Sequence, residues 1–358
     1  MLSEKFIIPL MINLIFVKVL LTFPKTVVEN SGNAAWIQIL YNTVIAFLFF
    51  CAVMRIYNRK KNIIEIAEIN GGKPLKVIAG IIVTIILIIN AAPIVRIFPE
   101  SVKIVLLRDM NTEIIVVIMA AAASVGAYLG LEAVSRVNRI FLPIAAAVFL
   151  GLIVLLIPKY RLSNLLPVFG TGYKKIFING ISTLSLFSDL LILNLLIPYS
   201  KNIDCIKKSG KWAIGISGLS AAIITAAYCL SFSYPTSKDF IMPAYQMTRL
   251  INISNFLSRF EAFFEFVWTI LTLMYTAVYL YMICYTIQIT LSLKYLKPLV
   301  LPVAIILFFI SLMPPSIMKM IEWDSYIGGF SYIPVFALLL IFGHSKRMKK
   351  KENAEDKV

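Results

Sequence analysis

Long apolar runs alternate with short polar connections along the whole chain. Ten runs approach the length of a bilayer-crossing helix, which needs ~20 mostly apolar residues. They lie near residues 6–23, 34–54, 77–95, 114–131, 140–158, 176–199, 212–233, 262–293, 298–317 and 326–343. This pattern predicts an all-α membrane protein with ten transmembrane helices in a single domain, residues 1–345, followed by a charged tail, 346–358, that reads as disordered. The first run has no small-residue cleavage site before Phe23-Pro24-Lys25, so it reads as a retained span. The run at 262–293 is long: at 1.5 Å per residue it reaches ~48 Å against a core of ~30 Å, so it must tilt or protrude.

Ten spans divide into two halves of five, about 6–158 and 176–343. An odd number per half inverts the second half relative to the first, the plan of transporters whose ligand sites lie between broken helices at the midplane. Corresponding spans should then be irregular in both halves. Span one carries Lys18, Thr22 and Pro24 in an apolar run, and span six carries Gly180, Ser182, Thr183, Ser185, Ser188 and Asp189. Span three, with Asn90 and Pro93, is a weaker irregularity. Small and polar residues also serve ordinary helix packing in membranes, so the paired irregularity is what favours a site. Two connections carry amphipathic patterns. Residues 60–73 set Ile63, Ile64, Ile66 and Ile69 against Glu65 and Glu68, a short helix expected on the cytoplasmic membrane surface. Residues 242–257 read as a second surface helix, outside.

Composition closes off the soluble alternatives. Of 358 residues 60% are hydrophobic and 15% charged, against ~45–50% and ~25% for a soluble domain. The connections leave no room for a soluble catalytic domain. Neither GxSxG nor HExxH occurs, and the phosphate-loop-like stretch Gly170–Lys175 has the wrong spacing, so an enzyme is not expected. Cys51, Cys205, Cys229 and Cys284 form no CxxC pair, and the only histidine, His344, sits beside the basic tail; no metal, cofactor or disulfide framework is implied.

The net charge of +16 resolves into a topology signal. With a cytoplasmic N-terminus, 21 of the 34 lysines and arginines fall inside, which places both termini in the cytoplasm and makes the span number even. The connection 159–175, with Lys159, Arg161, Lys174 and Lys175 outside, runs against the rule. The basic residues are divided among loops that touch anionic lipid, so nucleic-acid binding is not expected.

A few charges sit where the apolar majority should exclude them. A charge at a helix centre costs roughly 2.5–3.5 kcal/mol on insertion scales. Lys18 therefore either faces a central cavity, pairing with a ligand carboxylate or standing in for a coupling cation, or snorkels to an interface. Asp189, with Ser185 and Ser188 within a turn, either pairs with a base, carries a proton, or belongs to a buried structural pair. Arg259, Glu261 and Glu265 open span eight; Glu261 and Glu265 share a face, and Glu265 is the deeper. Glu132 and Arg136 have the favourable i,i+4 spacing of a cytoplasmic salt bridge. Tyr275, Tyr279, Tyr281 and Tyr285 read as packing and interface-belt residues.

The sequence also resembles a known family. FPKTVVENSGNAAWI at 23–37, GLEAVSRVNRIFLP at 130–143, LLPVFGTG at 165–172, FSDLLILNLLIPY at 187–199 and MPAYQMTRLINISNFLSRFEAFFEFVW at 242–268 together resemble the B subunit of bacterial spore germinant receptors, the GerAB type, within the amino acid–polyamine–organocation (APC) transporter superfamily. The resemblance spans essentially the whole chain and implies a LeuT-like inverted-repeat fold in the spore inner membrane. It implies a receptor that senses an amino acid or similar germinant beside an A subunit and a C-subunit lipoprotein. Family pockets use spans one, three, six and eight, which maps here to Lys18 and Thr22, Asn90, Thr183, Ser185 and Asp189, and Glu265. This chain departs from the family at span one, where Val17 and Lys18 replace a small glycine-like position, and at span six, where Asp189 stands for a frequent glutamate. The rival reading is a proton- or cation-coupled amino acid permease.

Overall fold

The structure is a computed structural model that describes residues 1–56, 61–251 and 260–327, together with 331, 333, 334 and 337. Among the described residues regular structure is almost wholly helical, with one isolated bridge between Leu2 and Ser200. In chain order the helices are α1 (Glu4–Leu20), α2 (Phe23–Ser31), α3 (Ala35–Ile56), α4 (Ile63–Val105), α5 (Thr112–Leu129), α6 (Leu131–Leu155), α7 (Tyr173–Phe177), α8 (Leu190–Leu195), α9 (Ile203–Ser231), α10 (Pro243–Arg249), α11 (Phe260–Thr290), α12 (Val300–Leu312) and α13 (Ile317–Tyr326).

Seven helical stretches are long and apolar enough to cross a membrane, or up to eight if the α12–α13 pair, bent by 102°, is one span. Ten were expected. The first falls just short by length, since α1 has 17 residues, and most of the expected last span, with His344 and the tail, lies outside the described residues. The long eighth run is confirmed as the 31-residue α11.

Packing follows from which helices are apolar on every face. α1 is buried nearly all round, with Ile7, Leu10, Leu14, Ile15 and Val17 wholly inaccessible, as befits a helix at the centre of a bundle. It packs between α6 and α9, while α11 runs against α4, α5 and α6. α5 and α6 instead turn Ile114, Val117, Ile118, Ile140 and Ile144 outward, a surface only lipid would solvate. α9 approaches α3 through small residues: a side chain at Gly210 would strike Phe50 and Leu193, and one at Gly218 would strike Thr43. Such close backbone approach is how membrane helices gain dispersion contacts without a hydrophobic drive.

Two chain breaks position the site. Between α1 and α2, Leu21 and Thr22 leave the helix (ψ −109° at Leu21). Pro24 enforces the break, because it has no N–H to give the Leu20 carbonyl four residues back. The stretch Tyr173–Leu195 is broken too: α7 gives way to nine residues of 3-10 helix, Asn179–Phe187, and α8 begins only after Asp189. Runs of 3-10 helix beyond three or four residues are uncommon and mark hinges or strained segments. This one is clamped to α3. The Gln38 and Asn42 side-chain amides donate to the Gly180 carbonyl at 3.3 and 2.8 Å and to Thr183 Oγ1 at 2.9 and 2.5 Å.

The segment expected on the membrane surface at 60–73 instead buries its first part, residues 62–67, largely against protein, while residues 71–73 are exposed. Asn62 caps it with a reciprocal capping box to Glu65, and Ile63, Ile64, Ile66 and Ala67 are wholly inaccessible. The Asn194 Oδ1 of α8 accepts from Ile63 N at 2.9 Å, and Asn62 Nδ2 donates to Tyr285 OH at 3.4 Å. Gly71 and Gly72 then break the helix, and the +70° φ of Gly72 suits glycine alone. The start of the segment that the sequence assigned to lipid is bonded to α8 and α11. The second expected surface helix survives as α10 over its first part; the rest lies outside the described residues.

Candidate functional site

The two breaks meet around one buried ion pair. Lys18, in the last turn of α1, places Nζ 3.0 Å from Asp189 Oδ1, 3.2 Å from Ser188 Oγ and 3.4 Å from Asn90 Oδ1. Its side chain is 13% exposed and that of Asp189 0%. The charges the sequence singled out one by one are therefore partners across 171 residues. Ser188 Oγ donates to Asn90 Oδ1 at 2.6 Å, which ties span three to span six. The ammonium thus has an all-oxygen environment from α4 and from the break before α8.

Two tyrosines complete the hub. Tyr279 OH donates to Asp189 Oδ1, and Tyr275 OH donates to the Asn90 carbonyl at 3.1 Å. Both are wholly buried, so the expectation of packing and belt roles is corrected for this pair. They lie four apart on one face of α11, and that spacing in mid-span was the available signal. Tyr281 and Tyr285 lie nearer the C-terminal end of α11, where Tyr281 shares a hydrogen bond with Tyr199 at 3.0 Å. Asp189 Oδ2 has no hydrogen-bond partner among the described residues.

Beside the hub lies a cavity of about 60 Å³, whose polar walls include Lys18, Thr22, Thr26, Asn90, Ser185 and Asp324. That is room for roughly four waters or a small charged head group. Six of the seven residues assigned to ligand binding by sequence therefore gather here. Lys18, Thr22, Asn90, Thr183 and Ser185 line the cavity, and Asp189 sits behind Lys18. The Thr183 hydroxyl is already engaged by the α3 amides. Glu265 is elsewhere. It precedes Tyr279 by fourteen residues, about 21 Å along α11, does not line the cavity, and lies beside Ser101 of α4. Asp324 and Ser325 of α13 were not foreseen, because they fall in the connection between the expected ninth and tenth spans, where a carboxylate is ordinary. Among the described residues no three histidine, cysteine or carboxylate side chains are grouped to hold a metal ion.

The remaining expected residues are structural or outside the site. Glu132 and Arg136 form the exposed i,i+4 pair at 2.7 Å. Glu261 is half-buried at the start of α11. Arg259 lies outside the described residues.

Two broken helices flanking a buried polar centre define a membrane protein of transporter-like build. The family model for spore germination proteins, the spore permeases, matches residues 1–319, and the chain belongs to that family. It is 23% identical to spore germination protein A2 of Bacillus subtilis (strain 168), over 93% of this chain and 92% of that one. It is likewise 23% identical to spore germination protein B2 of the same strain, over 70% of this chain and 68% of that one. Among solved structures it resembles MHP1, a nucleobase-cation-symport-1 family transporter in a closed conformation with bromovinylhydantoin bound. The TM-score is 0.69 at 13% identity, covering 92% of this chain and 76% of that one. The fold is therefore LeuT-like and the chain is a multi-pass integral membrane protein; the family is one of permease-like germination proteins, not of enzymes.

Proposed function

We propose that this chain is the germinant-sensing subunit of a spore germination receptor, binding an amino acid or similar small nutrient in the cavity beside Lys18. The observation that carries the reading is the junction of both helix breaks at the Lys18–Asp189 pair, with a polar cavity against it. A ligand bridging α1 and the Tyr173–Leu195 segment would have different affinity for each relative placement of the two, and differential affinity is what shifts a two-state equilibrium. In this reading ten spans form a single membrane domain, residues 1–345, as two inverted repeats of five, with both termini cytoplasmic. An A subunit and a C-subunit lipoprotein would read the shift. Glu265, distant from the cavity, drops out of the ligand set.

The test is a thermal-shift panel of amino acids, sugars and nucleosides on the purified chain, repeated on Lys18→Ala and Asp189→Asn. At least one small nutrient should raise the wild-type midpoint, and both variants should lose that response. A panel with no stabilising compound would overturn the reading. A coupled amino acid permease is the second reading, favoured by the likeness to a cation symporter's fold. Saturable uptake of radiolabelled amino acid into proteoliposomes holding this chain alone would decide for it.

A further inference from the structure

A second chamber adjoins the polar cavity. It encloses about 390 Å³ between α4, α12 and α13, and its lining is almost wholly apolar: Ile88, Ala92 and Pro93 on one side, Ile310 and Trp323 on the other. Its floor, Ala92 and Pro93, is buried, while Ile85 and Met313 at the rim are exposed. Asp324 lines both spaces, so a polar cavity and an apolar chamber share one carboxylate as a common wall.

The charges around that wall do not balance. Lys18 and Asp189 neutralise each other at 3.0 Å. Asp324 feels the Lys18 charge but forms no ion pair among the described residues: Lys18 is held by Asp189, and Lys319 on the same helix pairs with Glu322 at 2.7 Å. A half-buried carboxylate at an apolar boundary is costly unless a cation meets it. What fits is a molecule with a cationic group beside Asp324, a hydrogen-bond-accepting anionic group among the hydroxyls of Thr22 and Ser185 on the Lys18 side of the cavity, and an apolar body in the chamber.

We propose that the ligand is an α-amino acid with a large apolar side chain: Asp324 receives its ammonium, the Lys18 side of the cavity receives its carboxylate, and its side chain enters the chamber of Ile88, Ala92, Pro93, Ile310 and Trp323. This rests on the sensing role proposed above and narrows its ligand. The small cavity alone suits glycine or alanine; the chamber is what rewards size. Each buried methylene contributes ~0.8 kcal/mol, about fourfold in affinity.

The experiment uses the full chain in lipid nanodiscs and measures affinity for glycine, alanine, valine, leucine and phenylalanine. It adds 4-methylpentanoate and isopentylamine, which are leucine without its ammonium and without its carboxylate. Leucine should bind at least tenfold tighter than alanine, and both truncated analogues should lose at least tenfold against leucine. Asp324→Asn should weaken leucine at least tenfold and leave 4-methylpentanoate unchanged. Ile88→Trp, at the half-buried rim, should narrow the chamber and abolish the preference of leucine over alanine. The analogue series on the unaltered chain keeps the test decisive if either variant misfolds. Equal affinity for alanine and leucine would overturn the proposal while leaving amino acid sensing intact, the chamber then being a crevice filled by lipid. Tight binding of 4-methylpentanoate would also overturn it, since Asp324 would have no role. Binding of none of the five amino acids would overturn this proposal and leave the sensing role to the wider nutrient panel.

Discussion

At the residue scale the molecule turns on a few charges in an apolar interior. Removing one member of a buried ion pair strands the other, at a cost of about 3–5 kcal/mol, whereas replacing both with apolar groups is often neutral. Lys18→Met should therefore lower the unfolding midpoint in detergent sharply, and Lys18→Met with Asp189→Leu should recover most of the loss. A double variant as unstable as the sum of the singles would show that the two residues act separately. Tyr279→Phe removes a hydrogen bond to a charged acceptor and should cost about 2 kcal/mol in the same assay; Tyr281→Phe, which loses only a partly buried phenol contact, should cost less. The sequence exposed Lys18 and Asp189 because a charge in an apolar run stands out. It could not pair them, since nothing local relates positions 171 apart. It concealed Tyr275 and Tyr279 because tyrosine is at home in membrane helices for packing alone, and it misplaced Glu265 because membership of a pocket-lining span says nothing of depth along it.

At the element scale the breaks were legible and the docking was not. Pro24 stops α1 by its chemistry, and the stretch 180–188, with three serines, a threonine and Gly180, announces a weak helix. The segment after Asn62 shows the limit of the pattern. Its alternation of isoleucines with Glu65 and Glu68 defines an apolar face, yet that face is the same whether lipid or protein covers it. What distinguishes the two is Asn194, whose side chain bonds Ile63 N from 131 positions away. The segment closes one end of the bundle against α8, the helix that follows Asp189, so its docking and the geometry of the hub share an element. Asn62 supplies acceptors for Ile64 N and Glu65 N at 3.1 and 3.0 Å. Losing such a cap costs about 1 kcal/mol. Asn62→Ala should accordingly speed amide exchange across residues 63–70 about fivefold while leaving exchange in α9 unchanged. Equal protection in the variant would show that tertiary burial alone holds the segment.

At the scale of the whole molecule, composition and periodicity gave the class, and the relation between the broken spans gave the fold. Neither fixes which side of the membrane each loop occupies, and here the basic residues speak with two voices. In the proposed orientation most connections obey the positive-inside bias, but 159–175 sets Lys159, Arg161, Lys174 and Lys175 on the surface together, all exposed. A connection this short counts in the rule, and this one is structured. Arg161 N and Asn164 Nδ2 both donate to the Leu230 carbonyl at 3.0 Å, and Thr171 Oγ1 donates to the Asn30 carbonyl at 2.7 Å. Those bonds join it to the C-terminal end of α9 and to the end of α2, so all three must lie on one side. In the proposed ten-span arrangement the N-terminus lies on the other, because α1 and α2 together would carry the chain across. The proposed orientation therefore makes a joint prediction. In right-side-out vesicles a membrane-impermeant maleimide should label Ser163→Cys readily and Ser3→Cys only after permeabilisation. The native Cys205, Cys229 and Cys284 are buried and add little background. Labelling of both sites from the same face would break the continuity of the α1–α2 crossing, and with it the inverted arrangement on which the sensing site depends.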